Sequence, residues 1–373
     1  MTFLVEPITF DWKNILRIIF ASVGIVGNTI VIIVYARKRG VGAGRRTGRR
    51  VPRSATDTFL LNLACADLLT SVLIIPRPYF SRVEDRPLGH AYCRLVNSDV
   101  FLWTSIVASV FTLTFVSVER CLAIVYPLKY RRIFSGNRAR TISLCIWCLS
   151  FILNTFNIYC VSVDPVALVC ISAYPTVGYQ GFVGAGLFIA EFFVPMIVMI
   201  VTHVMAIRAL RAHARTLLSR NESPNSPAYS LLNTRRKIIE MLLAVVVTFI
   251  LCWSGDQVLF LAYNLGMTDP NYLATETYQA FFLLAFVNSC ANPIIYTFKN
   301  QKFRHAVKCL IVGRGRASNR VGDVATVTLG IENGLSQISL INALFLTTRG
   351  SHPQPKLNTA NNNTDSPNPV HLL

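Results

Sequence analysis

Asn288, Ser289, Asn292, Pro293 and Tyr296 fall within nine residues near the end of the last long apolar run of this chain. A proline there removes a backbone N–H and frees a carbonyl, and hydrocarbon offers no water to replace the lost bond. Such a cluster persists only where it faces a protein interior, and polar groups at that depth are candidates for function. Asp67 lies in the middle of another apolar run, Asn62-Leu63-Ala64-Cys65-Ala66-Asp67-Leu68-Leu69, where a carboxylate is costly unless paired or hydrated. Ser109, Asn288 and Ser289, in two further runs, carry oxygens that could join it. One carboxylate with hydroxyl and amide oxygens suits a monovalent cation, hard ligands around a hard ion. Hydrogen bonding between helices is the plainer use of the same groups. Glu119 and Arg120 stand side by side at the end of a third run. An arginine at a membrane edge needs a partner, and Glu119 supplies one. Protonating or displacing Glu119 would free the guanidinium to donate to the carbonyls of a docking protein; a snorkelling interfacial arginine is the alternative.

The elements that must position these residues are membrane spans. Hydrophobic residues make up 53% of the 373-residue chain and charged ones only 14%, with a mean hydropathy of +0.47. That is too apolar for a soluble domain of this length. Runs long enough to cross about 30 Å of hydrocarbon lie near 15–36, 57–77, 97–125, 141–160, 182–208, 238–264 and 274–298. The predicted fold class is therefore an all-α membrane protein, a seven-helix bundle over 15–298 behind a short segment 1–14. The stretch 299–311 alternates apolar and basic residues at helical spacing and reads as an amphipathic helix on the membrane. Residues 312–373 are polar and predicted to be disordered, with Ser336, Ser339, Thr347, Thr348, Ser351, Thr364 and Ser366 as ordinary candidates for phosphorylation.

Eight Lys or Arg, from Arg37 to Arg53, separate the first two runs, and the two later alternate loops are basic as well. The loops at 161–181 and 265–273 contain neither residue. This bias predicts an exterior amino terminus and a cytoplasmic tail, and assigns the net charge of +18 to anionic lipid rather than to nucleic acid. No cleavable signal peptide is expected; the first span serves as its own insertion signal.

With Asn292-Pro293-Ile294-Ile295-Tyr296 in the seventh run, Asp67 in the second, Glu119-Arg120-Cys121 in the third, Trp147 in the fourth and Phe249-Ile250-Leu251-Cys252-Trp253 in the sixth, the chain resembles the rhodopsin-like (class A) G-protein-coupled receptors. The motifs are spread over residues 15–310. The resemblance implies a plasma-membrane receptor whose switch involves Glu119, Arg120, Trp253, Asn292, Pro293 and Tyr296. It further implies a sodium pocket at Asp67, Ser109, Asn288 and Ser289 as the one allosteric ion, with no other cofactor, and a disulfide from Cys93 to Cys170, with Cys160 competing for the second place. It makes juxtamembrane Cys309 suited to palmitoylation, and makes a heterotrimeric G protein the partner, with arrestin and receptor kinases as further ones.

The chain also departs from the pattern. Gly255 replaces the proline after Trp253, His203 replaces a tyrosine in the fifth span, and Arg235 occupies a place often acidic, so no ionic lock can run from Arg120 to it. Cys93 to Arg120 is two residues longer than the family spacing, which predicts an irregularity at the top of the third helix.

For the ligand, Leu102 stands where amine receptors carry an aspartate and Phe286 where opsins carry lysine, which disfavours both classes. Asp99, Glu191 and Asp256 are acids that could meet a basic ligand, with Trp103, Gln257, Phe260 and Phe282 beside them. The wording of the spans is most similar to the peptide-receptor branches, so a peptide with a basic or amidated end is the leading expectation. A transporter would want paired ionisable residues or inverted repeats, and a hydrolase a nucleophile near His203; neither pattern is present. A decoy receptor that binds ligand without coupling is the closer rival, since the departures touch the switch rather than the fold.

Overall fold

The computed structural model describes residues 4–41 and 54–311, except 173, 222, 224, 270, 271, 273 and 274. The basic cluster at 45–53, the tail from 312 and its serines and threonines lie outside the described residues. Helices form α1 (Trp12–Val41), α2 (Ala55–Leu73), α3 (Pro87–Tyr92), α4 (Val100–Val125), α5 (Pro127–Ile133), α6 (Gly136–Asn154), α7 (Phe156–Cys160), α8 (Val177–Leu187), α9 (Val194–Ser219), α10 (Pro227–Asn264), α11 (Glu276–Lys299) and α12 (Gln301–Ile311). Among the described residues, seven segments are long and apolar enough to cross a membrane: 12–37, 55–73, 87–125, 136–160, 177–219, 227–264 and 276–299.

Several of these overrun the predicted runs, because caps rather than loss of hydrophobicity end the helices. Ser226 accepts from the N–H of Tyr229 at 3.3 Å and Pro227 follows it, starting α10 well before residue 238. Thr176 accepts from Tyr179 N–H at 3.1 Å and starts α8 before residue 182. Each cap gives an otherwise orphan N–H an acceptor.

Two π-helical turns interrupt the bundle. Cys93–Asn97 is one, followed by Asp99 in a left-handed conformation (φ 53°) immediately before α4; the expected irregularity above Arg120 is located here. The other is Phe188–Phe193, just ahead of Pro195. Pro195 cannot donate to the carbonyl four residues back, and a wider turn accommodates the lost bond.

Strand β1 (Leu4–Glu6) pairs antiparallel with β2 (Tyr79–Arg82), and β3 (Val161–Val163) with β4 (Cys170–Ser172), Ser162 opposite Ile171. Cys93 and Cys170 form a disulfide with Cα atoms 5.5 Å apart, tying this hairpin to the start of the third span. Cys160 is a free, buried thiol, which removes the competing pairing. Between the strands, the N–H groups of Ala167 and Val166 donate to the Asp164 carboxylate at 2.9 and 2.8 Å and hold its pKa below the usual range.

In the core, α2 packs against α1, α4, α6 and α11, and α10 against α9 and α11. At the far end of α11, Asn300 Oδ1 accepts from Phe303 N–H at 3.1 Å, and buried Phe303 places its ring 6.2 Å from Tyr296. Phe303, with Ala306 and Val307 packed beside it, thus docks α12 on the bundle.

Gly255 is explained by proximity. A Cβ there would lie 2.2 Å from the Phe281 ring of α11, so glycine lets α10 and α11 close together. Replacing it with alanine forces a core overlap that typically costs about 1–3 kcal/mol. Gly255→Ala is expected to lower the thermal melting point in detergent, and Phe281→Ala in the same chain to restore part of the loss. Equal melting of Gly255→Ala and wild type would contradict this packing.

Candidate functional site

Buried polar groups gather at three levels of the bundle. In the middle, Asp67 is 0% exposed. Ser109 Oγ donates to its Oδ1 at 2.7 Å, Asn292 Nδ2 to its Oδ2 at 2.8 Å, and Ser289 also hydrogen-bonds to it. Helices α2, α4 and α11 therefore share one carboxylate. Asn288 and Asn292 each have a buried Oδ1 without a partner. One carboxylate, two hydroxyls and an orphaned amide oxygen fit the hard-oxygen donor set of a sodium ion. Among the described residues no His, Cys, Asp and Glu cluster offers an alternative metal site.

Around this layer the spans are stitched together by side-chain amides. Asn62 Nδ2 donates to Thr112 Oγ1 at 2.7 Å while its Oδ1 accepts from Trp147 Nε1 at 3.0 Å, joining α2, α4 and α6. Pro293 has no N–H for the carbonyl of Ser289, four residues earlier. Asn28 Nδ2 supplies the missing donor at 3.1 Å from α1. The two helices meet closely at this point, since a Cβ on Gly27 would lie 2.8 Å from Pro293.

At one end of the bundle, Glu119 is 0% exposed and accepts four hydrogen bonds. Arg120 donates through Nε at 2.7 Å and Nη2 at 3.1 Å, Thr56 Oγ1 at 2.7 Å and Tyr130 OH at 2.7 Å. A buried charge pair is more tolerable when further donors reach it, and Thr56 and Tyr130 add two at Oε1. Sequence reasoning identified the pair but not these two partners, since no spacing rule links a threonine on α2 and a tyrosine on α5 to it. Closer to the middle, His203 Nδ1 donates to Met199 carbonyl at 2.8 Å, and its Nε2 is buried without a partner, as are the Tyr296 hydroxyl and Trp253 Nε1.

At the disulfide end, Trp103 and Phe282 rings lie 5.9 Å apart, and Tyr272, Tyr278, Phe282 and Phe286 form a continuous aromatic ladder. Leu102 belongs to the buried core, and Phe260 is half-buried. Asp256 and Gln257 are both buried, with Gln257 Nε2 donating to Asp256 Oδ2 at 3.2 Å. The other two acids expected to meet a ligand already have partners. Asp99 is ion-paired with Arg77, and Glu191 accepts from Asn154 of α6 at 3.4 Å. Desolvation demands such partners, which is why a list of acids by sequence overstates the free negative charge. Arg17 was missed, although a single arginine inside an apolar run was the available signal. Cys309 lies on α12 with its Sγ 3.5 Å from His305 Nδ1.

Residues 27–296 match the family described as 7 transmembrane receptor (rhodopsin family). The chain is 28% identical to galanin receptor 2b of Danio rerio over 342 residues, 88% of this chain and 84% of the relative. It is 30% identical to the tachykinin-like peptides receptor 86C of Drosophila melanogaster, covering 83% of this chain and 62% of that one. Against the allatostatin-A receptor of Bombyx mori the identity is 27%, over 82% of this chain and 78% of the relative.

Tyr130→Phe deletes one donor to the buried Glu119 carboxylate. Leaving such an acceptor short costs about 1–3 kcal/mol, so the variant is expected to melt earlier, with Thr56→Val behaving alike. Unchanged melting in both would show that Glu119 does not depend on these hydroxyls.

Proposed function

Because this chain belongs to the rhodopsin family of seven-transmembrane receptors, we propose that it is a plasma-membrane receptor that binds an extracellular peptide and activates heterotrimeric G proteins. Members of this family act as receptors rather than enzymes. One of the relatives named above is by name a receptor for tachykinin-like peptides, and the observation that carries the signalling half is the closed Glu119–Arg120 pair with its hydroxyl partners. An arginine held by its own neighbour is a latch. When Glu119 is displaced or protonated, the planar guanidinium becomes free to donate to backbone carbonyls of an inserted helix. The positive bias of the alternate loops supports an orientation with Arg120 in the cytoplasm and the disulfide hairpin outside.

In this reading the peptide occupies the disulfide end, over the aromatic ladder that leads from Tyr272 to Phe286. Trp253 stands below it with a buried, unpartnered indole N–H, and His203 and Tyr296 each hold an unused polar tip. Groups left unsatisfied in one arrangement favour a second arrangement that pairs them, and a ligand binding that second state more tightly shifts the population. The moving element is α10, which carries Trp253 and lines the Arg120 end through buried Ile239, Met241 and Leu242. Its outward swing opens a cavity for the carboxy-terminal helix of a Gα subunit.

A sodium ion, when bound, would offset the Asp67 charge. Asp67, Ser109, Asn288 and Ser289 would hold it, and the same contacts would fasten α2, α4 and α11 in the closed arrangement. Cys309 on α12 is the proposed lipidation site, anchoring the amphipathic helix to the inner leaflet. Arrestin and receptor kinases are proposed as further partners of the tail. No feature of the described residues favours a decoy that binds without coupling.

The test is nucleotide exchange on a panel of Gα subunits in membranes holding this protein, with and without a mixed peptide library. Peptide-stimulated exchange is expected, and Arg120→Ala should reduce it at least about tenfold, the equivalent of ~1.4 kcal/mol. Raising sodium should weaken the stimulation in wild type and leave Asp67→Asn indifferent. Peptide binding with no exchange on any subunit would overturn the coupling claim.

A further inference from the structure

At the disulfide end Arg17 is a half-buried cation that forms no ion pair with any described residue. Arg17, on α1, donates through Nη2 to Gln279 Oε1 at 3.3 Å and carries its guanidinium carbon 5.7 Å from the Phe282 ring centroid. Its Nε is buried and has no partner. The neighbouring acids are spoken for. Asp99, within electrostatic reach of Arg17, is ion-paired with Arg77. Asp11 accepts from the N–H of Asn14 at 2.8 Å and caps α1. Glu276 pairs with Lys13 at 2.7 Å. Among the described residues no carboxylate lies within ion-pair distance of Arg17.

A half-buried guanidinium satisfied only by one side-chain amide and one ring face is poorly compensated for the water it has lost. What completes it is a planar anion that can take two parallel N–H bonds, the geometry of a carboxylate. The location fits a ligand group. Phe282 under the guanidinium is the ring that meets Trp103 and Phe286, so Arg17 borders the aromatic ladder proposed above as the peptide site. Asp256, by contrast, is 3% exposed, next to Gln257 and within electrostatic reach of Tyr272 and Tyr278.

We propose that Arg17 is a ligand-recognising residue that pairs with a carboxylate of the bound peptide. This rests on the peptide-receptor reading and deepens it. It also reverses the expectation of a basic or amidated end, for which Asp99, Glu191 and Asp256 were the candidate acids: Asp99 is ion-paired with Arg77, and Glu191 and Asp256 are held by the amides of Asn154 and Gln257. The carboxylate is either the free carboxy terminus or an Asp or Glu side chain, and the probe set separates these two.

The probes are three mass-tagged peptide libraries mixed in equal amounts: free-acid peptides lacking Asp and Glu, their amidated twins, and amidated peptides with one Asp or Glu. Full-length protein in lipid nanodiscs is incubated with the mixture, and retained peptides are counted by mass spectrometry. Wild type is expected to retain one carboxylate-bearing library at least about tenfold over the neutral twins, and which library wins identifies the source. Arg17→Gln should abolish the preference, and Arg17→Lys should keep part of it, since charge survives while the fork is lost. The comparison of twins on wild type needs no variant to fold. Retention of peptides without carboxylate preference, or a preference that survives Arg17→Gln, overturns the inference and leaves the peptide reading standing. Retention of no peptide at all overturns the peptide reading, and the inference falls with it.

Discussion

One carboxylate with no access to water sets the terms for this bundle. Asp67 stands in the middle of α2, fully enclosed, and hydrocarbon around the protein can supply nothing to it. Its two oxygens are met from α4 by Ser109 and from α11 by Ser289 and Asn292. Any rotation of α11 or slide of α4 therefore breaks a hydrogen bond to a desolvated charge. This makes the centre of the molecule an all-or-none joint rather than a soft one, which is the property a two-position switch requires. The amide bridges through Asn62, Trp147 and Asn28 extend the joint to α6 and α1.

The two ends of the bundle stand in opposite relation to that joint. At the Arg120 end both oxygens of Glu119 have donors, and the arrangement is closed on itself. At the disulfide end the polar inventory is uneven: Asp99 and Arg77 neutralise one another, Asp256 is covered, and Arg17 is left over. Between them lie His203, Trp253 and Tyr296, whose buried polar tips lack partners.

Much of this was legible in the residues. The seven spans follow from hydropathy alone, and Asp67, Glu119 and Pro293 were visible because charge and proline are conspicuous in apolar runs. The disulfide was legible too, with one competitor that the structure removed. Helix ends were misplaced because they are decided by Ser226, Thr176 and their kin, whose hydroxyls cap regardless of the apolar pattern. Gly255 was legible only as a missing proline, whereas its cause is the Phe281 ring across a helix interface, a contact no local window contains. The acids Asp99 and Glu191 were legible as charges and illegible as partnered charges, since Arg77 and Asn154 lie 22 and 37 residues away in sequence.

The bond from Asn28 to the carbonyl of Ser289 spans 261 residues of sequence. Of the spans, the ribosome makes α1 first and α11 last, so Asn28 enters the bilayer long before its acceptor exists. Until then its amide is satisfied only by the Gly24 carbonyl one turn back. The carbonyl that Pro293 leaves bare, in turn, finds its donor only on a helix already in place. The bundle is thus marked by a contact that no product ending before the seventh span can make. A membrane quality-control system that recognises exposed polar backbone has, in this one carbonyl, a signal that reports whether the seventh span has been made and has met the first.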